Sequence, residues 1–132
     1  MKTTIFNKVS INDIKEVSVI AKRWFQKSYG DTYHSVELSV LVSGETANKI
    51  DPVKYPIVKE SDVYIDLAYN GFEYGYGDHY NHTALQMLIA TVTDAPEWLA
   101  ISQSMYTIRT ACNKLDVHFS ETCIDVDRKK DL

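Results

Sequence analysis

The sequence predicts an α+β domain in which two helices pack on an antiparallel sheet. Two rhythms support this. Apolar and polar residues alternate through the first half of the chain, and a helical period takes over near residue 80. A stretch rich in Gly and Tyr marks the changeover.

Residues 17–25, Val17 to Phe25, carry Val, Ile, Trp and Phe with Lys22 and Arg23 between them. They read as the first arm of a hairpin, with Ser28-Tyr29-Gly30-Asp31 as its turn. The second arm covers 33–42. There Val36, Leu38, Val40 and Val42 fall on one side and Ser35, Glu37 and Ser39 on the other, so one face is wet. Ser43 to Glu60 loses the rhythm and contains Gly44, Pro52 and Pro56, which predicts a surface excursion with a short helical turn or irregular strand. A third strand returns at 62–69. Asn70-Gly71, both tolerant of positive φ, predicts a tight turn, after which Phe72 to Tyr76 comes back as a fourth strand.

Leu85, Leu88, Ile89 and Val92 have the spacing of one helical face, with Asp78 or Asn81 as the expected cap. Asp94, Pro96 and Glu97 form a start signal for a second helix. Trp98, Ile101, Met105, Ile108, Cys112 and Leu115 would then line it over about five turns at 3.6 residues per turn. Val117 to Val126 is expected to be a final strand, bulged or bent because Phe119 and Ile124 fall on opposite faces. Asp127 to Leu132 reads as a solvated charged tail. Residues 1–132 therefore make one domain.

Composition narrows the function classes. With 132 residues there is little room for a two-domain cofactor enzyme. A net charge of −4 argues against binding duplex nucleic acid. No apolar run approaches the length of a membrane span. No leader sequence is evident, and the two cysteines, Cys112 and Cys123, are too few for a disulfide scaffold. Two buried, reduced thiols in an intracellular protein are the expectation. Nine Tyr against four Phe and two Trp suit an interface or a ligand pocket.

The candidate chemistry lies in Gly71 to His82, where three glycines and four aromatics lead into a helix. Backbone N–H groups at such a start attract phosphate, and Tyr rings can stack on a base. The alternative is a tight hairpin and a capped helix with the rings packed on the surface. Asp78, His79 and His82 invite a metal. However, His34 and His118 stand alone and no metal-binding motif occurs, so no metal ligand is assigned. No nucleophile elbow or paired-carboxylate motif is present, so no catalytic residue and no cofactor are assigned. Arginine is scarce: only Arg23, Arg109 and Arg128 occur, against eleven Lys. Arg109 and Arg128 are read as complementing a helix end and a charged tail, or else as meeting in a pocket that clamps phosphate. Arg23 is expected to stack on Trp24.

Lys22-Arg23-Trp24-Phe25, Tyr29-Gly30-Asp31-Thr32-Tyr33-His34-Ser35-Val36 and Tyr74-Gly75-Tyr76-Gly77-Asp78-His79-Tyr80 carry a resemblance. These blocks resemble segments of a phage family, the anti-Thoeris proteins of the first described type. Members of that family soak up cyclic ADP-ribose-like signals made by a host TIR-domain enzyme. The resemblance implies a protein of the host cytoplasm that binds such a nucleotide without cleaving it. It further implies homo-oligomers with ligand sites where subunits meet, and leaves open a second site for cyclic oligonucleotides. The scarcity and position of the arginines, apart from the resemblance, make Arg109 and Arg128 the leading ligand contacts, followed by Tyr76, Asn81 and His82 of the loop. Two alternatives are a metal-dependent nucleotide hydrolase using Asp78, His79 and His82, and an inhibitor that coats a host protein with its Tyr-rich face.

Overall fold

The alternating stretches become a five-stranded sheet in the computed structural model, which describes residues 3–56, 61–101 and 107–132. The strands are β1 (Thr3–Ile5), β2 (Glu16–Gln26), β3 (Asp31–Ser43), β4 (Asp62–Tyr74) and β5 (His118–Val126). Four α-helices accompany them among the described residues: α1 (Gly44–Ile50), α2 (Tyr80–Thr91), α3 (Glu97–Ile101) and α4 (Ile108–Leu115). The α+β expectation therefore holds, but two of its particulars need correcting. Among the described residues there are four α-helices rather than two. The sheet, in the order β1-β4-β3-β2-β5, is mixed, because β5 runs parallel to β2 while the other pairs are antiparallel.

The hairpin of β2 and β3 forms as expected. It keeps one unbroken register from Glu16 opposite Leu41 to Gln26 opposite Asp31. Val17, Val19 and Ala21 of β2 and Val36, Leu38, Val40 and Val42 of β3 are all buried. Leu85, Leu88, Leu99, Ile108 and Cys112 from the helices join the same core. The helices thus cover one face of the sheet. The opposite face carries Lys22, Trp24, Tyr33, Glu37 and Phe72, and no helix packs there among the described residues.

Asn70-Gly71 is not a turn. β4 runs straight through it, and Gly71 does not adopt positive φ; among the glycines only Gly30 and Gly77 do. The chain makes a bulge there instead, seen as a register shift between His34 and Val36 on the neighbouring strand. Asn70 is buried and holds this bulge together. Its amide donates to Thr3 Oγ1 at 3.3 Å and to Glu73 Oε1 at 3.2 Å, while its Oδ1 accepts from the Phe72 N–H at 3.1 Å.

The single long helix expected after Asp94 is also two pieces. Thr107 has extended backbone and caps α4 through reciprocal bonds with Thr110, so α4 begins afresh and ends at Asp116 in the left-handed region. Met105 lies outside the described residues. Asp94 does not cap a following helix. Its carboxylate accepts from the Ser10 hydroxyl at 2.7 Å and the Ile11 N–H at 2.8 Å, tying the N-terminal segment to the end of α2. Those bonds hold the Asp94 carboxyl below its ordinary pKa. Neither Asp78 nor Asn81 caps α2, because a 3-10 turn over Gly77–His79 feeds directly into it.

β5 has no bulge. Its pairing with β2 continues from His118 to Val126, with Phe119 on the helix side and Ile124 half-exposed on the other. The tail after it is not simply solvated. It turns into a 3-10 turn at Lys129–Asp131, Lys129 lies over the Phe72 ring at 4.7 Å, and the Tyr69 hydroxyl donates to Leu132 O at 3.4 Å. The tail therefore crosses the helix-free face from β5 to β4. No helix of the described residues is long and apolar enough to cross a membrane.

Candidate functional site

The helices stop short of one end of the sheet. There the ends of β2 and β5, the start of β3 and the Gly77 turn surround an open cleft of about 490 Å³. It is lined by Arg23, Phe25, Lys27 and Thr32 on the hairpin side and by Gly77, Asp125, Val126 and Asp127 opposite. Alternation explains the hairpin's share. Arg23 and Phe25 continue the face of Val17, Val19 and Ala21 past the last helix, where a polar group can reach water.

Arg23 is the centre of this cleft. Its Nε donates to Asp125 Oδ1 at 2.9 Å and its Nη1 donates to Gly77 O at 3.1 Å. The expected stack on Trp24 is therefore wrong. Neighbours on a strand point to opposite faces, and the Trp24 ring stacks on Tyr33 at 5.7 Å on the far side. The Asp125 bond raises the Arg23 pKa further above its ordinary value. Asp125 is nonetheless 75% exposed, and an ion pair so placed contributes only about 0–1 kcal/mol. An incoming anion with more charge can replace it at little cost.

The Gly77 turn is held from several sides. Tyr76 reaches back to the hairpin turn, its hydroxyl 3.4 Å from both Gly30 O and Asp31 Oδ1. The Tyr74 hydroxyl, and then partial burial, push the Tyr76 phenol up to about 12. Gly75 is buried beneath His79, and a Cβ on it would lie 2.4 Å from the His79 ring and 2.7 Å from its Cβ. His79 sits between two other imidazoles, with ring centroids 5.8 Å from His34 and 5.4 Å from His82. His34 is buried, bonds the Thr83 hydroxyl through Nε2 at 2.7 Å, and leaves Nδ1 without a hydrogen-bond partner. Among the described residues, no group of three or more His, Cys, Asp or Glu side chains is arranged to hold a metal ion.

Arg109 and Arg128 are not brought together within one chain. Arg109 Nη2 donates to Glu121 Oε1 at 2.8 Å, and its guanidinium lies 4.9 Å from the centre of the Phe119 ring. Glu121 also accepts from the Tyr80 hydroxyl at 3.0 Å. Burial and this bond push Tyr80 to about 12. Arg128 Nε donates to Asp131 Oδ2 at 3.1 Å in the tail. Glu121 and Val126 are five residues apart on β5, roughly 16 Å at strand rise, so Arg109 attends to the middle of that strand and Arg128 to the tail beyond its end. Neither lines the cleft. Of the other expected contacts, Tyr76 borders the cleft's turn, His82 lies against the tilted His79 ring, and Asn81 is half-buried in the first turn of α2.

The cysteines are both free. Cys112 is fully buried and its thiol is pushed to about 12 by burial. Cys123 is only half-buried, contrary to the expectation of two buried thiols. Its pKa is also raised by burial, opposed by Arg23.

No protein-family model, curated protein or solved structure matches this chain.

Proposed function

We propose that the protein is a binding module for an anionic nucleotide of the cyclic ADP-ribose type, which it captures without cleavage. The observation that carries this reading is the Arg23 cleft. Its 490 Å³ falls within the range of small-molecule sites, roughly 300–1,000 Å³. Arg23 and Lys27 offer charge to two phosphates, and Arg23 has a weakly held partner to give up. Phe25 is 52% exposed and offers a ring face to adenine, a contact worth about 1–3 kcal/mol. Asp125 and Asp127 accept hydrogen bonds from ribose hydroxyls. The mixed charge of the lining therefore suits a ligand that is itself both anionic and rich in donors.

With the phage-family resemblance, this reading makes the chain an anti-Thoeris signal sponge acting in the host cytoplasm. Homo-oligomerisation belongs to the same proposal. Arg109 and Arg128 can meet one ligand only if a second copy supplies one of them, because a single chain keeps them apart.

Sequestration requires sub-micromolar binding, about −8 kcal/mol. Calorimetric titration with cyclic ADP-ribose isomers tests it, and the ligand should be recovered intact after the protein is heat-denatured. Arg23→Ala should weaken binding at least tenfold, or about 1.4 kcal/mol. Full affinity in Arg23→Ala with loss in Arg109→Ala and Arg128→Ala moves the site to a contact between copies. A hydrolysed product overturns the reading.

A further inference from the structure

The Gly77 turn that lines the Arg23 cleft leads into a row of three tilted imidazoles, and histidine is the side chain that changes charge between about pH 5 and 8. We propose that the His34–His79–His82 row is a proton-sensitive latch that holds the Gly75–His79 segment against the cleft near neutral pH and loosens it in acid. The proposal concerns regulation of the site and rests on the cleft being the ligand site.

His34 is the sensing group. Every element around it has its charges in view. Arg23 stands opposite on β2 and Glu73 opposite on β4, with Glu73 already accepting from Asn70. His79 lies against His34 from the turn with its ring tilted, and α2 contributes His82 beyond it and the Thr83 hydroxyl. Glu73 and the Gly75 backbone favour a charged His34, but burial and then His79 outweigh them, so its pKa lies below the ordinary value. The sign follows. The closed state binds fewer protons at His34 than any state that exposes it. Its stabilisation is complete above about pH 6.5, the ordinary histidine pKa, and is lost as pH falls toward the lowered value.

The segment above His34 is the part that yields. The turn over Gly77–His79 has no buried residue, whereas α2 has seven. Opening the turn hydrates His34 while α2 stays packed. Gly77 then moves, and with it the carbonyl that accepts from Arg23.

NMR titration of the ligand-free protein from about pH 8 to about pH 5 spans the histidine range. The Gly77 amide and the Arg23 Nε–H signals should shift with the same midpoint as the His34 ring. The shared midpoint should rise in His79→Gln, because the neighbouring imidazole helps to hold the His34 pKa down, and the exposed position of His79 spares the fold. Signals that stay still, or that move identically in His79→Gln, overturn the latch. A second arm titrates cyclic ADP-ribose, whose affinity should fall about fivefold between those pH values in the wild type, with the fall beginning at higher pH in His79→Gln. Affinity that rises in acid also overturns the latch, because it makes the imidazolium groups ligand contacts. Absence of binding at every pH defeats the nucleotide reading alone, since the ligand-free signals decide the latch.

Discussion

Gly75 shows how closely one residue can be specified here. Its backbone is not in the left-handed region, so conformational freedom does not explain it. The reason is contact. An added Cβ would meet the ring and the Cβ of His79, and the latter belongs to the backbone-proximal part of the side chain and cannot swing away. Gly75→Ala should therefore displace the turn and destabilise the protein by about 1–3 kcal/mol, the usual range for overpacking. Chemical denaturation measures this. His79→Ala should not rescue Gly75→Ala, because the offending Cβ remains, whereas His79→Gly should. Arg23 carries the complementary lesson at this scale. A cation on the same side of a strand as Val17, Val19 and Ala21 breaks the apolar face, and that break was legible in the alternation. Its reading as a partner of Trp24 relied on adjacency in sequence, which in a strand means opposite faces.

Among the elements, β4 is where local chemistry and tertiary context disagree. Asn-Gly has the residue preferences of a hairpin turn, yet the strand continues because β3 offers it a long partner and the Asn70 side chain closes the bulge. Asn70→Ala would strand the Phe72 N–H and remove two bonds of the amide, with an expected loss of about 1–3 kcal/mol. Asn70→Asp, which keeps the acceptor but faces Glu73, should be no better. Thermal denaturation of both variants checks this. The same contrast explains what could be read in advance. β2 and β3 were legible because their alternation and their turn agree. The break before α4 was not, because an apolar stripe at helical spacing continues across Thr107, whose side chain caps a new helix instead of extending the old one. β5 was located correctly, but its direction was not legible. Parallel pairing depends on where α4 delivers the chain, and no short-range signal encodes that. The cleft was missed for a related reason, since its lining comes from β2, β3, β5 and the Gly77 turn at once.

For the molecule as a whole, the sheet is covered very unequally. One face has α2 and α4, while the other has only its own aromatic row and the returning tail. Trp24, Tyr33 and Phe72 stack in sequence across three strands at 5.7 and 4.5 Å. Ser35, two residues from Tyr33 on the same face of β3 and buried, shows that this face is not simply wet. Deleting residues 129–132 should remove the Lys129 contact with Phe72 and the Tyr69 bond. The expected loss is about 1 kcal/mol, or roughly 4 °C in Tm, measured by scanning calorimetry. If nucleotide affinity survives that deletion, residues 129–132 belong to stability alone.

The order of the strands also has a consequence for synthesis. At about 5–20 residues per second, the ribosome releases the β2–β3–β4 meander some seconds before β5 is made. Through that interval one margin of β2 is a bare row of peptide donors and acceptors in a nascent chain. Lys22 and Arg23 interrupt this row, and charged side chains on an unpaired margin are what discourage a neighbouring polypeptide from adding to it.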